Sequence, residues 1–325
     1  MTSSGSWPDG HRFAFTVFDD TDWSTVANCR GVYDLLGDLG FRVTKSVWVD
    51  DPGPRRTTGG STCAEPGYLD WVLELQAAGH EIGFHNATDR SSTREQTAAA
   101  LDRFESLFGH PPRCGADHGG NAEALYAGTR RLTGWRAAAY RAAQRVAQPT
   151  RPHFAGEDPD SPWFWGDLCR ERIPYWRRFS VARTDVATFA PVLHHDPLRP
   201  FVNAWFNSSH GPRLAPFVER LQPAALERLR ADGGVCIMYT HFGVDFVDER
   251  GRPAPELVRA LTDLAALGGW YAPVSEVLDH VAADVGVVRL DRRSRARIER
   301  RWIVDRLRDR SPIGPSVTTH HEETA

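Results

Sequence analysis

The feature that most constrains this chain is a series of β-forming stretches that end in aspartate or histidine and are each followed by a helical pattern. Residues 12–18 (RFAFTVF) are β-rich and run into Asp19 and Asp20, after which Val26, Cys29, Tyr33 and Leu36 recur at helical spacing until Gly40. Residues 41–49 (FRVTKSVWV) supply a second strand, followed by a loop rich in Gly, Pro and Thr and by a helix that opens at Pro66 and closes at Gly79. A third short strand, 80–85 (HEIGFH), ends in His85. The helix after it carries Ser92 and Glu95 at capping-box spacing, with Gly109 ahead of Pro111 and Pro112 at its end. Residues 235–240 (VCIMYT) are nearly continuously apolar, as a strand buried on both faces should be, and His241 follows them. Residues 270–274 and 276–282, with Ser275 as cap, read as one more strand and helix. Strands alternating with helices predict a parallel sheet, and α/β barrels routinely occupy 325 residues as one domain.

The middle of the chain, about 150–216, is dense in Pro, Trp and Asp, as in SPWFWGD (161–167) and HHDPLRP (194–200), and its strands cannot be placed by pattern. Residues 289–310 hold ten arginines against four acids, with Ile298, Trp302, Ile303 and Leu307 as an apolar stripe. This predicts a helix docked on the barrel, the alternative being a helix that binds an anionic surface. The expected organisation is a flexible N-terminus (1–11), a barrel (12–285), a basic amphipathic C-terminal helix packed on it (286–310) and a disordered tail (311–325).

A net charge of -3, from 39 basic and 42 acidic residues, argues against nucleic acid as a partner. Five scattered cysteines with no C-x-x-C pair suit a reducing compartment. The first eleven residues carry no secretory pattern, and no apolar run reaches the length of a membrane span, so a cytoplasmic location is expected.

Asp19, Asp20, His85 and His241 all fall at strand ends, the catalytic end of a parallel barrel. In a helical turn His85 and Asp89 would share a face, so His85, Asp89 and Asp20 could hold one divalent cation with positions left for water and substrate. Each has a structural alternative: the aspartates as loop or helix caps, His241 as a hydrogen-bonded core histidine. His118 and Asn121 could bind substrate or cap the next helix. Trp163, Phe164 and Trp165 could form a sugar-stacking platform near Asp167, with Trp165 and Asp167 binding substrate, although aromatics this dense are more often core.

Three motifs carry a family resemblance. VFDDT (17–21) resembles the TFDDG motif of polysaccharide deacetylases, GHEIGFHNATD (79–89) resembles their GHEIGNH segment leading into H-S/T-x-x-H, and YTHFG (239–243) resembles their late catalytic-histidine strand. The resemblance spans roughly residues 12–282. It implies a distorted parallel (β/α) barrel of the polysaccharide deacetylase type, with Asp19 as general base, Asp20 and His85 as metal ligands, and His241 as general acid. The family's second metal histidine falls on Asp89, a harder ligand that makes zinc less certain and manganese, iron or cobalt more credible; His118 is the other candidate third ligand. Thr21 stands where the family has glycine, and the arginine of the R-x-P-x-G motif, which orients the base, has no counterpart around Pro111–Gly115. The implied function is hydrolysis of an N-acetylated sugar or other small acylated amine. The alternatives are another amide hydrolase of the same fold and a barrel that binds carbohydrate without cleaving it; a glycosidase is weaker still, because adjacent carboxylates seldom flank one bond.

Overall fold

The computed structural model describes residues 7–54, 56–147 and 153–308. Nine strands are present among them: β1 (Ala14–Asp19), β2 (Thr44–Val47), β3 (Glu81–Phe84), β4 (Cys114–Gly115), β5 (Tyr175–Val181), β6 (Leu193–His195), β7 (Ala204–His210), β8 (Val235–Thr240) and β9 (Val288–Arg289). Seven of them, in the order β5-β4-β3-β2-β1-β8-β7, are joined by parallel ladders, and a further parallel pairing of β5 with β7 closes the ring. The parallel barrel expected from the strand–helix alternation is therefore present. β6 runs antiparallel to the first half of β7, at Trp205 and Phe206, and carries β9 on its other side. β8 meets β7 only at Ser209 and His210.

Alternation along β1 sorts its side chains into two layers. Phe13, Phe15 and Val17 pack outward with Val32, Tyr33 and Leu36 of helix Val26–Asp38. Ala14 and Phe18 pack inward with Phe206, Val235 and Ile237. Full burial of each such side chain contributes about 1.5–3 kcal/mol, so a slip of one residue, which would exchange the two layers, is excluded. At β4 the helix-packed outer face depends on a missing side chain: a Cβ on Gly115 would lie 2.3 Å from the Trp176 ring.

Most elements match their sequence patterns, with informative exceptions. Helix Arg94–Phe108 is capped by Thr93 and Gln96, one residue later than the expected Ser92 and Glu95, and it ends at Gly109 in the left-handed conformation (φ 79°). The Ser92 N–H is taken instead by Glu123. Segment 270–274 forms only a bridge from Trp270 to Ala14, and its helix, Val274–Asp284, begins one residue before Ser275. Of the N-terminal segment 1–11, expected to be flexible, residues 1–6 fall outside the described residues, while Trp7 is buried against Trp270 and His280 and donates to the Gly233 carbonyl. Helix Arg292–Arg308 lies on the barrel through Ile298 and Trp302, the latter stacked on Phe179 at 5.1 Å between ring centroids. The expected tail, 311–325, falls outside the described residues. Among the described residues, no helix is long and apolar enough to cross a membrane.

Candidate metal centre

Asp20 and Asp22 follow the end of β1, His85 follows β3, His118 lies in the loop after β4, and His241 follows β8. All five side chains converge at the C-terminal ends of the parallel strands. Ligand-competent atoms of Asp22, His85 and His118 lie within 4.8 Å of one another, as do those of a second group formed by Asp20, Asp22 and His241. His85 Nε2 is 3.1 Å from Asp22 Oδ2, and His118 Nδ1 is 2.9 Å from Asp22 Oδ1. His118 Nδ1 is fully buried yet makes no hydrogen bond, although the Asp22 oxygen is this close. An imidazole nitrogen beside a carboxylate oxygen but not aligned with it is the arrangement expected of two donors directed at a shared point. One carboxylate and two imidazoles are a suitable donor set for a divalent transition-metal ion.

Electrostatics favour the ionised form of this carboxylate. Burial pushes the Asp22 carboxyl up, but the close imidazoles of His118 and His85 together hold it well below the usual carboxylate range. Burial likewise works against protonation of His118, and Asp22 outweighs it, raising the imidazole above its ordinary value.

Asp20 lies beside this group and faces a cation of its own. Arg177 of β5 donates to both Asp20 oxygens, at 2.7 and 2.6 Å, and its guanidinium lies 4.3 Å from the Tyr239 ring centroid. Such bidentate pairing fixes the carboxylate plane and leaves each oxygen a further lone pair. His241 Nε2 is 4.0 Å from Asp20 Oδ2 and 3.7 Å from Asp22 Oδ2. Its Nδ1 lies 3.2 Å from the Pro212 carbonyl, which can only accept, so Nδ1 carries a hydrogen and Nε2 is turned toward the carboxylates.

The loop after β2 roofs the site. Trp23 N–H donates to the Gly59 carbonyl, Ser61 N–H donates to the Ser24 carbonyl, and Thr58 Oγ1 reaches His118 Nε2 at 3.4 Å. Beneath this roof His241 is the most exposed of the five side chains, at 13%.

The remaining residues singled out from the sequence are not among the groups whose ligand atoms converge here. Asp19 points outward from β1, where it accepts from Lys45 Nζ at 2.8 Å, from Tyr33 Oη at 2.9 Å and from the Phe242 N–H. Asp89, expected as a ligand, instead accepts the Thr57 and Thr58 N–H groups at 2.6 and 2.7 Å and so ties down the roof loop. Asn121 donates to the Thr88 carbonyl and to Glu123. Trp165 is fully buried and donates to the Glu123 carbonyl, and Asp167 forms a two-pronged pair with Arg94. These contacts tie strands and loops together, although Asp89 Oδ1 is buried without a hydrogen-bond partner and the Asp89 charge helps raise His118. Asp22 and Arg177 were not singled out from the sequence. The spacing of Asp22 from Asp20 was the available signal for the first; Arg177 sits in the segment whose strands the sequence pattern did not reveal.

No family model matches the sequence, and no curated protein matches it. Solved structures do. The Puue allantoinase aligns at 13% identity and a TM-score of 0.47, covering 87% of this chain and 94% of that chain. A probable polysaccharide deacetylase from Pseudomonas aeruginosa PAO1 aligns at 12% identity and a TM-score of 0.45 over 86% and 94%. A GH57-type branching enzyme from the hyperthermophilic archaeon Pyrococcus horikoshii aligns at 11% identity and a TM-score of 0.47 over 86% and 72%. The names of these proteins describe different activities, and the functional reading rests on the site's own geometry.

Proposed function

We propose that this chain is a metal-dependent hydrolase that cleaves the amide bond of a small acylated amine, an N-acetylated sugar being the simplest candidate. The observation that carries the reading is the convergence of Asp22, His85 and His118 within 4.8 Å at the catalytic end of the barrel. A divalent ion held by these three would supply Lewis acidity toward water and toward an amide carbonyl. Asp20, oriented by Arg177, is the group that accepts a proton from the attacking water. His241, with Nδ1 committed to the Pro212 carbonyl, presents Nε2 to the departing nitrogen and protonates it as the C–N bond breaks, releasing a carboxylate and an amine. The roles implied by motif resemblance for Asp19, Asp20 and Asp89 thus pass to Asp20, Asp22 and His118.

The altered third ligand and the missing arginine around Pro111–Gly115 are the two features that suggest a barrel that binds sugar without cleaving it. Arg177 supplies the same service from another strand, which favours retained catalysis. The enclosure of all five side chains favours a small substrate over a polymer.

Metal analysis of the purified protein tests the proposal. About one divalent ion per chain is expected, lost in Asp22→Ala and in His118→Ala and retained in Asp89→Asn. Asp20→Asn should keep the metal and lower acetate release by roughly 10²–10⁴-fold. Full metal retention in both the Asp22 and His118 variants would remove the reading.

A further inference from the structure

Helix Arg292–Arg308 turns its two carboxylates inward. Glu299 accepts from Arg136 Nε at 2.7 Å and from the Thr133 hydroxyl at 2.9 Å, and Asp305 is paired with Arg183 at 2.9 Å. Its outward side carries Arg293, Arg297, Arg300, Val304 and Leu307, spaced alternately by four and three residues, so they form one stripe, and all five are exposed. The stripe contains no acid. Its cationic half is a local feature of a chain whose net charge is -3. Arg297 and Arg300 form no ion pair among the described residues.

Two observations choose the partner. The arginines complement any polyanionic surface, but the stripe ends in Val304 and Leu307, the latter 70% exposed. Trp135, 69% exposed, stands at the start of the adjacent helix, next to the Arg136 that grips Glu299. A phosphate backbone gains little from apolar groups at such positions, whereas the boundary between lipid headgroups and acyl chains accommodates tryptophan and leucine beside arginine. The helix's inner apolar face is committed to Phe179 and the barrel, so the helix can rest on a bilayer without inserting. We propose that this stripe docks the protein, reversibly and by charge, on an anionic lipid surface.

Sedimentation of the full chain with phosphatidylcholine vesicles, with and without phosphatidylglycerol, tests this. Binding is expected only to the anionic vesicles and should be released by raising the salt. The Arg293→Glu/Arg297→Glu/Arg300→Glu variant, its melting temperature unchanged, should bind roughly tenfold or more weakly. Leu307→Ser should weaken vesicle binding by a smaller factor. Absence of binding to anionic vesicles at low salt, equal binding by the triple-charge variant, or duplex DNA binding as tight as vesicle binding with no effect of Leu307→Ser would each overturn the proposal.

Discussion

Asp19 and Asp20 are neighbours in sequence that face opposite sides of a barrel wall. Asp19 shares the outward parity of Phe15 and Val17, and a fully buried Lys45 answers its charge. Taking one partner from such a pair leaves an uncompensated buried charge at a cost of about 3–5 kcal/mol. Lys45→Met should therefore destabilise the protein by roughly that amount in urea unfolding, and Asp19→Asn in the same chain should recover a large part of it. An unchanged urea midpoint in Lys45→Met would show that the pair carries no such weight. The strand-end positions of these acids were legible from sequence, as were those of His85 and His241. Which acid faces inward required parity: Phe15 and Val17 mark the helix-packed side, and Asp20 falls on the other. The ligand arrangement in the loops was not legible, because Asn86, with φ of 62°, takes the chain out of the helical turn that would have put Asp89 beside His85.

At the scale of elements, the one-residue shift in the cap of helix Arg94–Phe108 has a measurable consequence. Thr93→Ala removes the side chain that accepts the Gln96 N–H and should cost about 1 kcal/mol, whereas Ser92→Ala should cost less because the Ser92 backbone N–H, not its hydroxyl, holds Glu123. Thermal melts of the two variants rank the caps directly. The sequence pattern offered both registers, since Ser92 with Glu95 and Thr93 with Gln96 both satisfy it. β5 and β7 were hidden for another reason. A buried strand ordinarily reads as an apolar run, but β5 contains Arg177 and Arg178, one paired with Asp20 and the other buried on the outer face with Asp196. Only tertiary partners reconcile those arginines with a strand interior. The C-terminal helix was readable because its apolar residues recur at helical spacing and find Phe179.

For the whole molecule, the loop after β4 adds a dependence on pH. Burial raises the Glu123 carboxyl from 4.5 to about 8, against the hydrogen bonds it accepts from Ser92 and Asn121. The unfolded chain gives up this proton above about pH 4.5 and the folded chain holds it to about pH 8, so across that window the unfolded state binds fewer protons. Glu123's contribution is thus fully present below the lower value and is lost as pH rises toward the upper one, by at most about 1.4 kcal/mol per unit. Melting temperatures of the parent and of Glu123→Gln at pH 5 and pH 8 should show the fall flattened in the variant. An identical fall in both would exclude Glu123 as its source.

β7 changes partners along its length: Trp205 and Phe206 lean on β6, whereas Ser209 and His210 lean on β8. Between β7 and β8 the wall is therefore stitched only along the rim that carries the reactive groups, while the floor is held by an inserted antiparallel strand. Leu193 of that strand is buried at the base, so a change there acts first on the floor and not on the rim where Asp20, Asp22 and His241 meet.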